Sequence, residues 1–366
     1  MTLDDLPTPC LVLDRTILRR NIAAMAAALA RHGIPLRPHM KTAKSIDVAR
    51  LALAGQPGGI TVSTLAEAEY FAAHGIADIL YAVGITPQKL DSVARLNADG
   101  ADIAVLTDDL DTAAAIAAHP HPPRTLIEID SGEARGGLAP DDAHLLALAA
   151  RLGPSLAGVM THAGHSYAGR TPEDMARIAE TERAGVVRAA ERLRAAGHPA
   201  PIVSMGSSPT ALAAARLDGI TEVRAGVYMF GDLFQAEIGT HQIDDIAVTV
   251  LASVIGRRPG QLLVDAGGLA LSKDRSTEAA PKDWGFGRVL DRTGRPAYGD
   301  AMIRRAYQEH GIVVPDPAHP FDLPIGARIR IAPNHTCMTA AAHDRYYVVD
   351  DSGSDIVAVW PRVNGW

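Results

Sequence analysis

The feature that most constrains this chain is an alternation. Between residues 36 and 225 short β-like runs trade places eight times with alanine-rich stretches of helical spacing. The β-like runs cover 36–40, 60–63, 79–83, 103–106, 125–130, 156–161, 202–205 and 222–225, and the helical patterns cover 64–74, 87–97, 108–118, 140–151, 171–196 and 208–217. Strands regularly separated by helices form parallel βαβ units, and a count of eight predicts an α/β fold with a closed (β/α)8 barrel. An open flavodoxin-like sheet is the runner-up. A further helix is expected from Asp14, a good N-cap, to the Gly33 stop, with Ile17, Ile22, Met25 and Leu29 on one face. After about residue 236 the pattern changes. Runs at 246–255, 261–264, 327–331 and 346–349 read as strands between turn residues, with one helix expected near 300–307. The expected division is a barrel over 11–235 and a mainly β domain over 236–366, which also takes residues 1–10.

Composition narrows the partners. A net charge of −7 argues against a protein that neutralises nucleic-acid phosphates or an anionic membrane surface, and 4 % aromatic residues argue against a base-stacking platform. Two cysteines, Cys10 and Cys337, make no disulfide framework. The opening MTLDDLPTPC lacks an apolar targeting core, and no apolar run is long enough to span a bilayer. The expectation is a cytoplasmic protein acting on a small molecule.

In a barrel of this kind, chemistry belongs at the C-terminal ends of the strands, where the loops converge on one mouth. Lys41 follows the first strand directly, where partial desolvation makes an amine nucleophilic; the competing reading is a solvated loop lysine. Gly206, Ser207 and Ser208 lead into a helix after the seventh strand. Together with Arg224, Gly226 and Val227 after the eighth they offer backbone donors to a phosphate, or else merely cap the helix. His162 and His165 bracket a small-residue turn after the sixth strand. In the β domain, His335 and Cys337 face the same side if the segment is extended. They would bind a soft or borderline cation, zinc before others, unless the cysteine is simply structural. Two protein ligands leave positions open for water and substrate, as a catalytic metal requires. Glu309-His310 is a weaker candidate for an acid–base pair.

Taken together these segments resemble a known family. RPHMKTAKS (37–45), GITVSTLAEAEYFAAHGIADILYAVG (59–84), EIDSGEARGG, THAGHSY, MGSSPTA, EVRAGVYMFGD, DAGGLALSKD, QEHGI and PNHTC occur in the order found in the fold-type III, alanine-racemase-like pyridoxal-phosphate enzymes. The similarity is greatest to the group containing D-serine dehydratase, D-threo-3-hydroxyaspartate dehydratase and D-threonine aldolase. The resemblance implies that Lys41 holds pyridoxal phosphate covalently and that Ser207, Ser208, Gly226 and Val227 bind its phosphate. It further implies that Arg135 lies near the pyridine ring and O3′, that His162 flanks the ring, and that Tyr167 and Arg224 lie near the ring and its nitrogen. His335 and Cys337 match the His-x-Cys zinc pair of the D-serine dehydratase branch, with manganese or magnesium as alternative metals. Aldolase relatives tend to carry His-x-Asp there, and the second catalytic tyrosine motif of the racemases is absent from the chain. The implied activity is therefore a metal-assisted lyase acting on a β-hydroxy-D-amino acid, a dehydratase before a retro-aldol enzyme. A cofactor-binding protein without catalysis is disfavoured by the long C-terminal region. The family also implies a homodimer, with the β domain of one subunit over the barrel of the other.

Overall fold

The computed structural model describes residues 1–351 and 353–366. The chain divides into two compact units, residues 24–226 with 363–366, and residues 1–23 with 227–362.

The first unit is the barrel. Its eight parallel strands are Leu36–Pro38, Ile60–Val62, Asp78–Gly84, Asp102–Thr107, Thr125–Ile129, Leu156–Thr161, Ile202–Met205 and Glu222–Ala225. From the second strand onward each pairs with the next in sequence, and the eighth pairs with the first, Val223 opposite Leu36. Between the first and second strands the ring closes only by a bridge of His39 with Thr61, where the Met40 N–H donates to the Thr61 carbonyl at 2.7 Å. Strands Ile60–Val62 and Leu156–Thr161 are buried along their whole length, as strands covered on both faces must be.

The connecting helices are Ile46–Leu53, Leu65–Ala73, Leu90–Ala98, Leu110–Ala118, His144–Leu152, Pro172–Ala195 and Ser208–Ala213. Their starts follow capping chemistry. Thr64 accepts from the Glu67 N–H, Asp109 from that of Thr112, and Thr171 from that of Asp174. The pattern at 87–97 resolves into a 3-10 turn, Pro87–Lys89, and a helix. At the N-terminal end of the strands Arg37 lies between Asp78 and Glu222, at 2.8 and 2.7 Å. That buried guanidinium is satisfied by two carboxylates, and it sits at the end of a barrel where stability rather than chemistry resides.

The second unit is built on a nine-stranded sheet. Six strands close a ring in the order Gln261–Val264, Gly311–Val314, Met302–Ala306, Arg288–Leu290, Arg328–Ala332 and Val248–Arg258, the last pairing back to the first. Strands Cys10–Asp14, Arg345–Val349 and Ala358–Pro361 continue from Val248–Arg258. Cys10–Asp14 pairs antiparallel with 248–251 and parallel with 347–349. Trp284 packs with Leu233, Ile246, Leu290 and Ala332, and its Nε1–H donates to Glu237 at 2.8 Å.

The helix expected near 300–307 is not there; Met302–Ala306 is a strand. A bulge shifts its register between Ile303 and Arg305, and it leaves Arg304 and Arg305 exposed side by side. That breaks the alternation that marks a strand. The helix from Asp14 is present as Arg15–Ala30, its first turn capped by Asp14 Oδ1, which accepts from the N–H groups of Thr16 and Ile17.

Candidate active site

At the mouth of the barrel the first strand ends in His39, Met40 and Lys41. Met40 is buried, and Lys41 is exposed at the rim with its N–H directed to His39 Nδ1 at 3.4 Å. Lys44, three residues on, is held by Glu67 at 3.1 Å. Of the two lysines in HMKTAK, Lys44 is thus committed to a structural ion pair.

The seventh and eighth strand ends are pressed together by glycine. Gly206 has φ +139°, and a Cβ there would meet the backbone of Arg224, its N at 2.8 Å and its C at 2.9 Å. A Cβ at Gly226 would lie 2.9 Å from the His39 carbonyl oxygen. The His39 N–H in turn donates to the Ala225 carbonyl at 2.7 Å. The turns carrying Ser207, Gly226 and Lys41 are therefore neighbours on one rim. Ser207 and Ser208 are buried, and Ser207 Oγ accepts from the Thr210 N–H and hydrogen-bonds Ser166 Oγ at 3.0 Å. Val227 begins the 3-10 helix Val227–Met229 of the other unit.

His162 donates Nδ1–H to the Gly206 carbonyl at 2.8 Å, which leaves Nε2 as an acceptor. Burial, and after it the charge of Lys41, brings its pKa down to about 3. His39 is pushed well below the ordinary histidine value by the same two causes in the same order. Two neutral imidazoles within the field of one lysine amine define the rim electrostatically. Arg224 is buried with its guanidinium spent on the barrel, donating to Ser204 Oγ at 2.7 Å and to the Thr161 carbonyl at 2.6 Å, and burial lowers its pKa. Tyr167 lies in the 3-10 helix Gly164–Ala168 after the sixth strand. Arg135, after the fifth strand, has an exposed side chain paired with Glu133 at 3.4 Å. His165 keeps a buried Nδ1 without a hydrogen-bond partner.

These residues fit a phosphorylated pyridine aldehyde by the chemistry of the donor set. The rim supplies a primary amine, two glycine turns free of Cβ, buried hydroxyls beside them, and a ring-sized neutral imidazole. Sequence reasoning missed Glu182, whose buried carboxylate accepts from the N–H groups of Ala163 and Gly206 at 2.9 and 3.0 Å. Its signal was present, since Glu182 occupies the apolar stripe of Pro172–Ala195 with Met175, Ile178, Ala179 and Val186.

The second unit carries His335 and Cys337. The segment is not extended as expected. His335 is the N-cap residue of the short helix Thr336–Ala340, and Cys337 lies in its first turn, so capping geometry rather than strand alternation brings the two together. His335 Nδ1 lies 3.4 Å from Asp274 Oδ2. Asp232 is buried beneath, accepting from the N–H groups of Gln235 and Thr336. Burial alone lowers the His335 pKa, but hydrogen bonds to Asp274 and Cys337 and the charge of Asp232 outweigh it, and the value rises to about 11. Imidazole nitrogen and thiol sulfur side by side suit a divalent cation of zinc type. Among the described residues no group of three His, Cys, Asp or Glu side chains forms a closed metal cage. Glu309 and His310 fall in the exposed turn between Met302–Ala306 and Gly311–Val314.

Comparison with known proteins matches both units. Residues 13–233 match the family described as alanine racemase, N-terminal domain, and residues 247–349 match a putative serine dehydratase domain. The chain is 46 % identical over 380 residues to the D-threo-3-hydroxyaspartate dehydratase of Delftia sp. (strain HT23), covering 100 % of this chain and 99 % of that protein. It is 30 % identical over 391 residues to the D-serine dehydratase of Dictyostelium discoideum, covering 98 % of each. The solved Delftia enzyme superposes with a TM-score of 0.95 at 45 % identity over 100 % of both chains. D-threo-3-hydroxyaspartate dehydratase has also been solved with a histidine replaced by alanine and, in a metal-free form, with a cysteine two positions later replaced by alanine. The resemblance drawn from the motifs holds, and the chain belongs to the pyridoxal-phosphate-dependent family whose barrel is the alanine racemase N-terminal domain.

Proposed function

We propose that this protein is a pyridoxal-phosphate- and metal-dependent dehydratase of β-hydroxy-D-amino acids, with a 3-hydroxy-D-aspartate as preferred substrate. The observation that carries the reading is the His335–Cys337 pair in its acidic surroundings. It has the same two-residue spacing as the histidine and cysteine replaced in the D-threo-3-hydroxyaspartate dehydratase. The substrate preference rests on 46 % identity to that enzyme against 30 % to a D-serine dehydratase.

Lys41 would hold the cofactor, Ser207, Ser208, Gly226 and Val227 would receive its phosphate, and His162, Tyr167, Arg135 and Arg224 would lie about the ring. Pyridoxal phosphate would supply an electron sink for the substrate's Cα. The Lys41 amine removes the Cα proton as general base. His162, its pKa brought down by burial, stays neutral through the physiological range and places no cation beside that amine. His335 and Cys337 would hold a zinc or similar ion, which would supply Lewis acidity toward the substrate's β-hydroxyl. Water then releases ammonia, and a 2-oxo acid remains. The same reading makes the enzyme a cytoplasmic homodimer. Among the described residues no helix is long and apolar enough to cross a membrane.

The test is a substrate panel. Purified protein loaded with cofactor is given D-threo-3-hydroxyaspartate, D-serine or D-threonine, with and without a chelator, beside Lys41→Ala. Expected is 2-oxo acid and ammonia from the first substrate, loss with chelator, and no turnover by the variant. Glycine and an aldehyde as the main products would make it an aldolase, and turnover of none of the three would end the reading.

A further inference from the structure

Glu182 lies in the middle of the longest helix of the barrel unit, with no exposed surface. A fully buried carboxylate is costly unless its oxygens are used. Here one oxygen, Oε1, receives two backbone N–H groups from different turns, Ala163 at 2.9 Å and Gly206 at 3.0 Å. Ala163 follows His162 in the turn after the sixth strand, and Gly206 precedes Ser207 in the turn after the seventh. The second Glu182 oxygen, Oε2, is buried with no hydrogen-bond partner among the described residues, and the Thr210 hydroxyl stands in the cap of the next helix. That hydroxyl accepts from the Ser207 N–H at 3.1 Å. On its other side the Gly206 peptide gives its carbonyl to His162 at 2.8 Å. One carboxylate therefore fixes both turns, and His162 and Ser207, each next in sequence to one of its two partners, inherit their positions from it.

We propose that Glu182 is a positioning residue for the phosphate end of the cofactor site, acting through the Ala163 and Gly206 N–H groups it holds, an inference that rests on the cofactor reading above. Ala163 and Gly206 are buried, so their N–H groups need acceptors. The helix Pro172–Ala195 packs against the strands Leu156–Thr161 and Ile202–Met205. A side chain from this helix reaches both strand ends at once. The oxygen's place, not its charge, is what the two turns read.

That distinction sets the experiment. Glu182→Gln keeps a carbonyl oxygen at the same reach and removes the charge. Glu182→Asp keeps the charge and withdraws the oxygen by one methylene. Dissociation constants are measured for pyridoxal phosphate and for pyridoxal, which lacks the phosphate, by titrating the visible absorbance of the bound form. With Glu182→Asp the constant for pyridoxal phosphate is expected to rise about tenfold, the effect of one weakened charge-assisted hydrogen bond or more. The constant for pyridoxal should stay within about twofold, well below one hydrogen bond's worth. Glu182→Gln should hold both constants within about threefold. A parallel rise for both ligands would mean general loosening and would overturn the inference, as would no change in Glu182→Asp. Weakening in Glu182→Gln alone would place the effect in the charge and overturn it equally. Wild-type protein that takes up no pyridoxal phosphate would remove the cofactor reading and this inference with it. Wild-type uptake with unselective variants removes the inference alone.

Discussion

Gly206→Ala tests the packing of the rim most directly. The added methyl meets two separate penalties. The backbone stands at φ +139°, where an L side chain costs on the order of 1–2 kcal/mol. The methyl would also lie 2.8 Å from Arg224 N and 2.9 Å from Arg224 C, and still nearer the carbonyl oxygen. Ordinary carbon contacts need about 3.5 Å or more, so one turn must retreat by close to an ångström. Arg224 cannot retreat easily, because its strand is paired to the first and seventh strands and its guanidinium is tied to Ser204 and Thr161. Overpacking of this kind costs about 1–3 kcal/mol. The bonds from Gly206 to Glu182 and His162 would be strained as well, at about 1 kcal/mol each. The sum is about 4–7 kcal/mol. Gly197→Ala is the control, since its φ is +84° and nothing lies within 4 Å of the added Cβ, so only about 1–2 kcal/mol applies. For a unit of roughly 200 residues each kcal/mol moves the melting temperature by about 2–4 °C. Thermal unfolding followed by circular dichroism should therefore show Gly206→Ala falling by about 8–28 °C and Gly197→Ala by about 2–8 °C. Equal losses in the two variants would refute the claim that the seventh and eighth strand ends are packed to contact.

Cys337→Ala should lower bound zinc per chain, measured by elemental analysis, by more than the roughly 10–100-fold in affinity that follows loss of an outer-shell partner, while the visible cofactor absorbance stays; unchanged zinc would exclude the His335–Cys337 site. Acid should weaken the barrel through His162 and His39. Their folded pKa values lie below the unfolded one, so the unfolded chain takes up protons first. Their contribution is complete above about pH 6.5 and is lost as the pH falls toward about 3, by up to about 1.4 kcal/mol per pH unit for each imidazole. His162→Gln should flatten the stability profile between pH 6.5 and about 4 relative to wild type, and an identical slope would refute the depressed value.

The barrel was legible because its strands are short, apolar and evenly separated by alanine-rich helices, and all eight appear where the pattern put them. The rim position of Lys41 was legible for the same reason, standing where apolar sequence turns polar at a strand end. What escaped was set by contacts distant in sequence. Met302–Ala306 read as a helix because its bulge hides the alternation. Cys10–Asp14 passed unnoticed as a strand because five residues flanked by Pro9 and a helix carry no repeating signal, and only residues 248–251 and 347–349 make them one. The His-x-Cys pair was found, but for a geometric reason that did not apply, since a helix cap brings the two side chains together. Asp274 and Asp232 act through long-range partners, and local spacing gives no hint of them; Glu182 was marked only by its place in an apolar stripe.

The strand Cys10–Asp14 sits inside the sheet of the second unit, with one neighbour more than 230 residues downstream and the other more than 330. During synthesis its apolar CLVLD run waits for one partner until residues 248–251 have left the ribosome and for the other until residues 347–349 have. The barrel strands find their partners far sooner, except for the first, which needs the eighth. The order of assembly is thus written into the connectivity. The lobe bearing the thiol–imidazole pair closes after the barrel, so a chain interrupted between residues 226 and 345 carries a ring of helices and strands beside an incomplete sheet rather than half of each lobe.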